Sequence, residues 1–176
     1  MLENDQSYAI YDGIGQNPKI ADCMEAAKVA QSLEADVIIG IGGGSPLDAA
    51  KCISILAANP DMSQEQLYSY NWENAPLPIV CVGTTAGTGS EVTKVAVMTN
   101  LQGLKKSLND DRIFPTLSLG DYRYTLTLPE LFTCSTAIDA LAHCIESYFA
   151  QKSNEISRCY SVRGIRILLE QLTEIE

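Results

Sequence analysis

The stretch VIIGIGGGSPLDAAK, residues 37–51, decides how the chain is read. Its first five residues form a continuous apolar run, the signature of a strand buried on both faces of a parallel sheet. Gly42, Gly43 and Gly44 follow at once, then Ser45 and Pro46, and a helical pattern continues through Ile53, Leu56 and Ala57. Ser45 is a natural N-cap, Pro46 suits the first helical turn, and Asp48, three residues after the cap, makes a variant of the capping box. The helix is predicted to stop before Asn59-Pro60.

A helix N-terminus offers unpaired backbone N–H groups and a partial positive charge, so it binds phosphate wherever the chain can be approached closely. A tight strand-to-helix turn alone needs one glycine, or two at most; a triplet clears the approach for an anion at the carboxyl edge of a parallel sheet. The pattern is not the usual dinucleotide fingerprint. Gly40 and Gly42 begin it, but Ser45 stands at the last glycine position, and Asp61, the acidic residue that follows, comes after a helix and a proline. Nor is it a Walker loop, because Lys51 does not follow a terminal glycine and is itself followed by Cys52. Kinase and ATPase readings lose support.

Working outward, residues 7–11 (SYAIY) read as a strand, and a turn-rich segment leads to a helix capped by Asn17, with Pro18 in its first turn, running to about Ala35-Asp36. Residues 61–75 are polar and read as a loop with one helical turn. A second buried strand, residues 77–82, runs into Thr84-Thr85-Ala86-Gly87-Thr88-Gly89-Ser90. Four hydroxyls and two glycines at a strand's carboxyl end can serve phosphate, ribose or a nicotinamide amide, or can form a plain polar turn. Two such loops on one sheet favour a dinucleotide. Strands are predicted at 92–98 and 117–120 with a turn at 100–103, and long helices at 131–150 and about 153–172.

The alternation predicts an α/β class: a parallel-sheet dinucleotide-binding domain over 1–125, then the start of an all-helical domain over 126–176, with the boundary between Asp121 and Pro129. Twelve Lys and Arg against 22 Asp and Glu give a net charge of −10, which argues against nucleic acid and anionic membranes as partners. No apolar run approaches a membrane span, and the first residues have no secretory pattern, so a cytoplasmic location is expected. Six cysteines without a CxxC pair read as buried, reduced packing residues.

Asp139 and His143 are four apart on a predicted helix and share a face, a spacing that suits either two ligands of one divalent metal or an ordinary ion pair. His143 is the chain's single histidine, so further ligands would have to come from other residue types, water or elsewhere.

Taken together, YDGIGQNP (11–18), IIGIGGGSPLDAAK (38–51), PLPIVCVGTTAGTGSEVT (76–93), LPEL (128–131) and IDALAHCIESY (138–148) resemble, in order and spacing, the iron-containing (group III) alcohol dehydrogenases. The resemblance implies an α/β cofactor domain followed by a helical domain. It implies that Gly43, Gly44 and Ser45 hold the pyrophosphate of NAD or NADP, with Asp48 near the nicotinamide side. Thr84, Thr85 and Thr88 would contact the cofactor from the second loop, Asn17 would line its cleft, and Lys105, or its neighbour Lys106, would reach the ribose. Asp139 and His143 would be two of four protein ligands of Fe(II) or Zn(II). Ala137-Ile138 departs from the Gly-Met or Gly-Val usual before the ligand aspartate.

The implied reaction is metal-dependent, NAD(P)-linked hydride transfer between a small alcohol and its aldehyde or ketone. Against the family pattern the chain reads as an internal piece, without the first strand-helix-strand and without the later helices that bring two more histidines. The alternatives to a working oxidoreductase are therefore a non-catalytic nucleotide-binding remnant and one half of a split enzyme. Partner expectations are the small substrate and either a homo-oligomer or a complementary chain.

Overall fold

The computed structural model describes residues 7–172. Contacts divide these into two compact units: one holds the residues up to Gly83 together with Ser90–Asp121, the other holds Thr84–Gly89 and everything from Tyr122 onward.

The first unit is α/β. Helix α1 (Ile20–Ser32) leads to strand β1 (Ile38–Gly42), helix α2 (Gly44–Ala58), the short helix α3 (Gln64–Tyr68) and strand β2 (Ile79–Gly83). After a 3-10 turn at Ser90–Val92 come β3 (Val95–Thr99), β4 (Lys105–Asn109) and β5 (Leu117–Leu119). The sheet order is β1-β2-β5, all parallel, with Ile38 opposite Ile79, Gly42 opposite Gly83, and Val80 opposite Leu117. Strands β3 and β4 form a separate antiparallel pair, Val95 facing Asn109 and Thr99 facing Lys105.

Helix α2 organises the unit. Nine of its residues are buried, Leu47 and the unbroken run from Ala49 to Leu56, because it lies against α1, β1, β2 and β3 at once. The approach to β1 is close enough that a Cβ on Gly40 would sit 2.8 Å from the Ala50 Cβ, so glycine there is a packing requirement. Ile20, Cys23 and Ala27 of α1, Ile79 and Cys81 of β2, Ala96 and Met98 of β3, and Leu108 of β4 complete the core.

Several expectations are corrected. Strand β1 is not buried on both faces: Gly40 faces α2, while Ile39 and Ile41 are 58% and 63% exposed on the other side. Helix α2 covers one face of β1 and β2, and alternation sends every second side chain away from it. Residues 7–11 form no strand, since no described strand offers them a ladder, and Tyr8 and Ile10 are exposed. Asn17 does not cap α1; it takes a positive φ of 54°, Lys19 bridges Thr99, and the helix starts only at Ile20 with no side-chain cap. The strand expected from residue 92 begins at Val95, because Ser90–Val92 is wound into the 3-10 turn.

Helix α2 starts two residues earlier than predicted. Gly43 is its N-cap and Ser45 lies inside the first turn, so neither Ser45 nor Asp48 caps it. Of the cysteines, Cys23, Cys52 and Cys81 are buried, Cys134 and Cys144 half-buried, and Cys159 exposed, which removes it from the packing group; all six are free thiols. A hydrogen bond to Cys52 and burial both push the Cys23 thiol up, as befits an inert core position.

The second unit pairs α4 (Glu130–Phe149) with α5 (Glu155–Leu172). Gly164 permits their contact, since a Cβ there would meet Cys144 Sγ at 2.6 Å. Asn154 and Ser157 exchange side-chain and backbone hydrogen bonds of 2.9 Å at the start of α5. Loop Thr84–Gly89 belongs with these helices: a Cβ on Gly87 would lie 2.7 Å from the Thr136 carbonyl oxygen. Among the described residues no helix is long and apolar enough to cross a membrane.

Candidate functional site

The glycine turn is built for close approach. Gly42 holds φ at +146°, a conformation open only to glycine, and a Cβ there would lie 2.7 Å from Pro46 Cγ. Gly43 then extends into the N-cap position without any side chain folding over the helix end. The amides of Gly44 and Ser45 belong to the first turn and have no intrahelical acceptors, while Pro46 has no N–H to leave unpaired. No acidic residue occupies that turn. Gly42 to Ser45 are neither fully buried nor fully exposed. The start of α2 therefore presents two amide donors, the Ser45 hydroxyl and the positive end of a 15-residue helix, which suits a phosphate.

Strands β1 and β2 end level with one another, Gly42 opposite Gly83, so the Thr84 loop leaves the sheet from the strand next to the glycine turn. In the second unit Thr84 and Thr85 are half-buried and Thr88 is exposed. Gly89 has φ +63°, which turns the chain back into Ser90.

Asn17 and Lys105 meet through Thr99. The Thr99 amide donates to the Pro18 carbonyl at 2.7 Å, its hydroxyl donates to the Asn17 carbonyl at 3.3 Å, and Lys105 pairs with Thr99 across the β3–β4 hairpin. The two lysines are separated by the alternation of β4. Both are exposed, but Lys106 places its ammonium 4.2 Å above the Tyr68 ring, on the opposite side of the strand from Lys105.

Asp48 does not cap the helix but turns inward. It accepts the Ser90 hydroxyl at 2.6 Å and the Val97 amide at 2.8 Å, and its Oδ1 lies 3.8 Å from Lys51 Nζ. Lys51 is the residue that sequence reasoning missed. Its ammonium is fully buried, and its three N–H groups are shared among four acceptors: Ser90 O and Val95 O, both at 2.7 Å, Ser90 Oγ at 2.9 Å and Thr93 Oγ1 at 3.2 Å. Burial pulls the Lys51 pKa down and Asp48 only partly opposes it; burial likewise pushes Asp48 up against its partners Ser90, Val97 and Lys51. For both groups the loss of water outweighs the pairing. The one signal available was a lysine three residues after an aspartate inside an otherwise apolar helix.

Asp139 and His143 do share one face of α4, with Oδ1 and Nε2 3.8 Å apart and the two side chains 47% and 52% exposed. Two donors at that separation can converge on one divalent ion and would fill two of its coordination positions. Among the described residues no group of three His, Cys, Asp or Glu gathers around them.

Comparison with known proteins follows the same lines. The sequence model of the family described as iron-containing alcohol dehydrogenase matches residues 1–122. Alcohol dehydrogenase 4 of Saccharomyces cerevisiae is 34% identical over 171 residues, covering 97% of this chain and 45% of the yeast protein. The 1,3-propanediol dehydrogenase of Citrobacter freundii is 34% identical, with 94% of this chain and 43% of that protein aligned. Among solved structures, an iron-containing alcohol dehydrogenase from Thermotoga maritima superposes with a TM-score of 0.89 at 36% identity, covering 96% of this chain and 46% of that one. The chain thus spans a little under half the length of the relatives it matches.

Proposed function

The chain belongs to the iron-containing alcohol dehydrogenase family, and we propose that it carries the cofactor-phosphate cradle and two metal ligands of an NAD(P)-linked oxidoreductase acting on a small alcohol or its aldehyde. The observation that carries this reading is the start of α2, where Gly43 caps the helix without a side chain and the first turn, with the amides of Gly44 and Ser45, contains no acidic residue. In that role the two amides and the Ser45 hydroxyl hold the diphosphate, and Gly42 keeps the approach open. Thr84, Thr85 and Thr88 supply hydroxyls to the cofactor, Lys105 reaches its ribose, and Asn17 lines its cleft. Asp139 and His143 supply a carboxylate and an imidazole to Fe(II) or Zn(II). When bound, the nicotinamide supplies hydride exchange and the metal polarises the substrate oxygen.

Two experiments test these assignments separately. Titration with NADH or ADP-ribose should show saturable binding, and Ser45→Asp should weaken it at least about tenfold, because a carboxylate in the first turn repels the diphosphate. The same carboxylate should leave the helix equal or more stable, by about 0.3–1 kcal/mol, since it complements the helix dipole. Equal affinity in the two proteins would exclude the α2 cradle. For the metal, anaerobic loading with Fe(II) or Zn(II) followed by elemental analysis should find bound ion that His143→Ala loses. Unchanged metal content in that variant would remove His143 from the ligand set.

A further inference from the structure

Lys51 is a fully buried cation in a helix otherwise packed by apolar and small residues, and the cofactor reading above leaves it without a task. Burying an ammonium costs several kcal/mol unless strong partners surround it, so its partners indicate what it holds in place. All of its hydrogen-bond acceptors lie between residues 90 and 95: two carbonyls, of Ser90 and Val95, and two hydroxyls, of Ser90 and Thr93. One helical turn earlier Asp48 grips the same segment through the Ser90 hydroxyl and the Val97 amide. Ser90 Oγ joins the two levels, accepting from Lys51 and donating to Asp48.

Helix α2 is therefore attached to segment 90–97 at two heights by directional bonds. The other directional bonds of α2 hold its C-terminal half, where Ser54 O accepts the Leu77 amide at 3.1 Å, Leu56 O accepts Gln31 Nε2 at 2.9 Å and Ala58 O accepts Asn74 Nδ2 at 2.9 Å. Nearer the N-terminus the remaining packing, through Ala49, Ala50, Cys52 and Ile53, is apolar and non-directional, so the clamp is what sets the first turns. Ser45 and Gly44 lie roughly 4.5 and 6 Å up the axis from Asp48, at about 1.5 Å of rise per residue. Whatever fixes the helix at Asp48 and Lys51 fixes the direction of those amides. We propose that Lys51, working with Asp48 and Ser90, is a positioning residue for the phosphate cradle, preorganising the first-turn amides of α2 for a diphosphate without touching the ligand itself. This rests on the cofactor-binding reading of that helix start. It also accounts for Asp48 being drawn away from the helix cap, since both of its carboxylate oxygens are taken up by the clamp.

The test uses two ligands that differ in the diphosphate: ADP-ribose, by titration calorimetry, and adenosine, by ligand-observed NMR. Both are measured at a temperature where circular dichroism shows each variant folded. Lys51→Met should weaken ADP-ribose about tenfold, as a preorganised site does when it loosens, and leave adenosine affinity unchanged. Ser90→Ala, which cuts the link between the two levels but leaves the Lys51 carbonyl partners, should show the same selective loss at about threefold. It carries the test should Lys51→Met not fold. Equal ADP-ribose affinity in the wild type and in folded variants overturns the positioning role while leaving the cradle intact, as does a loss shared equally by adenosine. A wild-type chain that binds neither NADH nor ADP-ribose overturns the cradle itself and this inference with it.

Discussion

Replacing Lys51 by methionine is expected to lower the unfolding free energy of the α/β unit by about 3–5 kcal/mol, the usual cost of removing one partner from a buried ion pair. Methionine fills similar volume, so the loss is electrostatic and not a cavity. It strips the donor from the Ser90 and Val95 carbonyls and leaves Asp48 without the cation that offsets its burial. Burial already pushes both Asp48 and Lys51 toward their neutral forms, so neither tolerates the other's absence. Urea unfolding followed by fluorescence reports on this unit directly, because Trp72 is the chain's single tryptophan and is buried within it. The double change Lys51→Met with Asp48→Leu should be less damaging than the single one, since an uncompensated buried charge is then gone. A Lys51→Met midpoint close to wild type would show that the network contributes little.

The other large effect is expected at Gly42. Alanine there must adopt φ +146° and bring its Cβ to 2.7 Å from Pro46 Cγ, so either the turn or the first turn of α2 has to move. A backbone held in a region reserved for glycine costs about 1–3 kcal/mol, and the displaced amides of Gly44 and Ser45 should lose at least about tenfold in ADP-ribose affinity. Gly15→Ala is the control: a Cβ there meets nothing within 4 Å, and stability should change little. Tight ADP-ribose binding by Gly42→Ala would mean that the cradle does not depend on this turn.

Much of the molecule could be read from local pattern. Helix α2 ends at Ala58, just before Asn59-Pro60, because proline disfavours a helical residue before it. The single helical turn within residues 61–75 is α3, with a Ser63–Gln66 capping box. Helices α4 and α5 fall within two residues of their expected limits, since their long unbroken stretches contain no proline. Strand β4 escaped notice because its KKSLN sequence has one buried residue, Leu108, and gains its strand character from pairing with β3. Residues 7–11 erred in the opposite direction: an apolar, β-prone segment remains irregular without a described neighbour to complete its hydrogen bonds.

The glycine turn at the start of α2 was legible from the chain's own order, since a helix end freed of side chains needs only glycines after a strand and a helix-forming run beyond them. The Asp139–His143 pair was equally legible, four residues being one turn of α4. Neither the task of Lys51 nor the inward turn of Asp48 could be read that way. Their partners lie 39 to 49 positions along the chain, brought within 3.2 Å only once α2 packs beside β3. Spacing along a sequence reports which residues share a helix face or a strand end; a buried charge is given its role by whatever distant backbone the fold delivers to it.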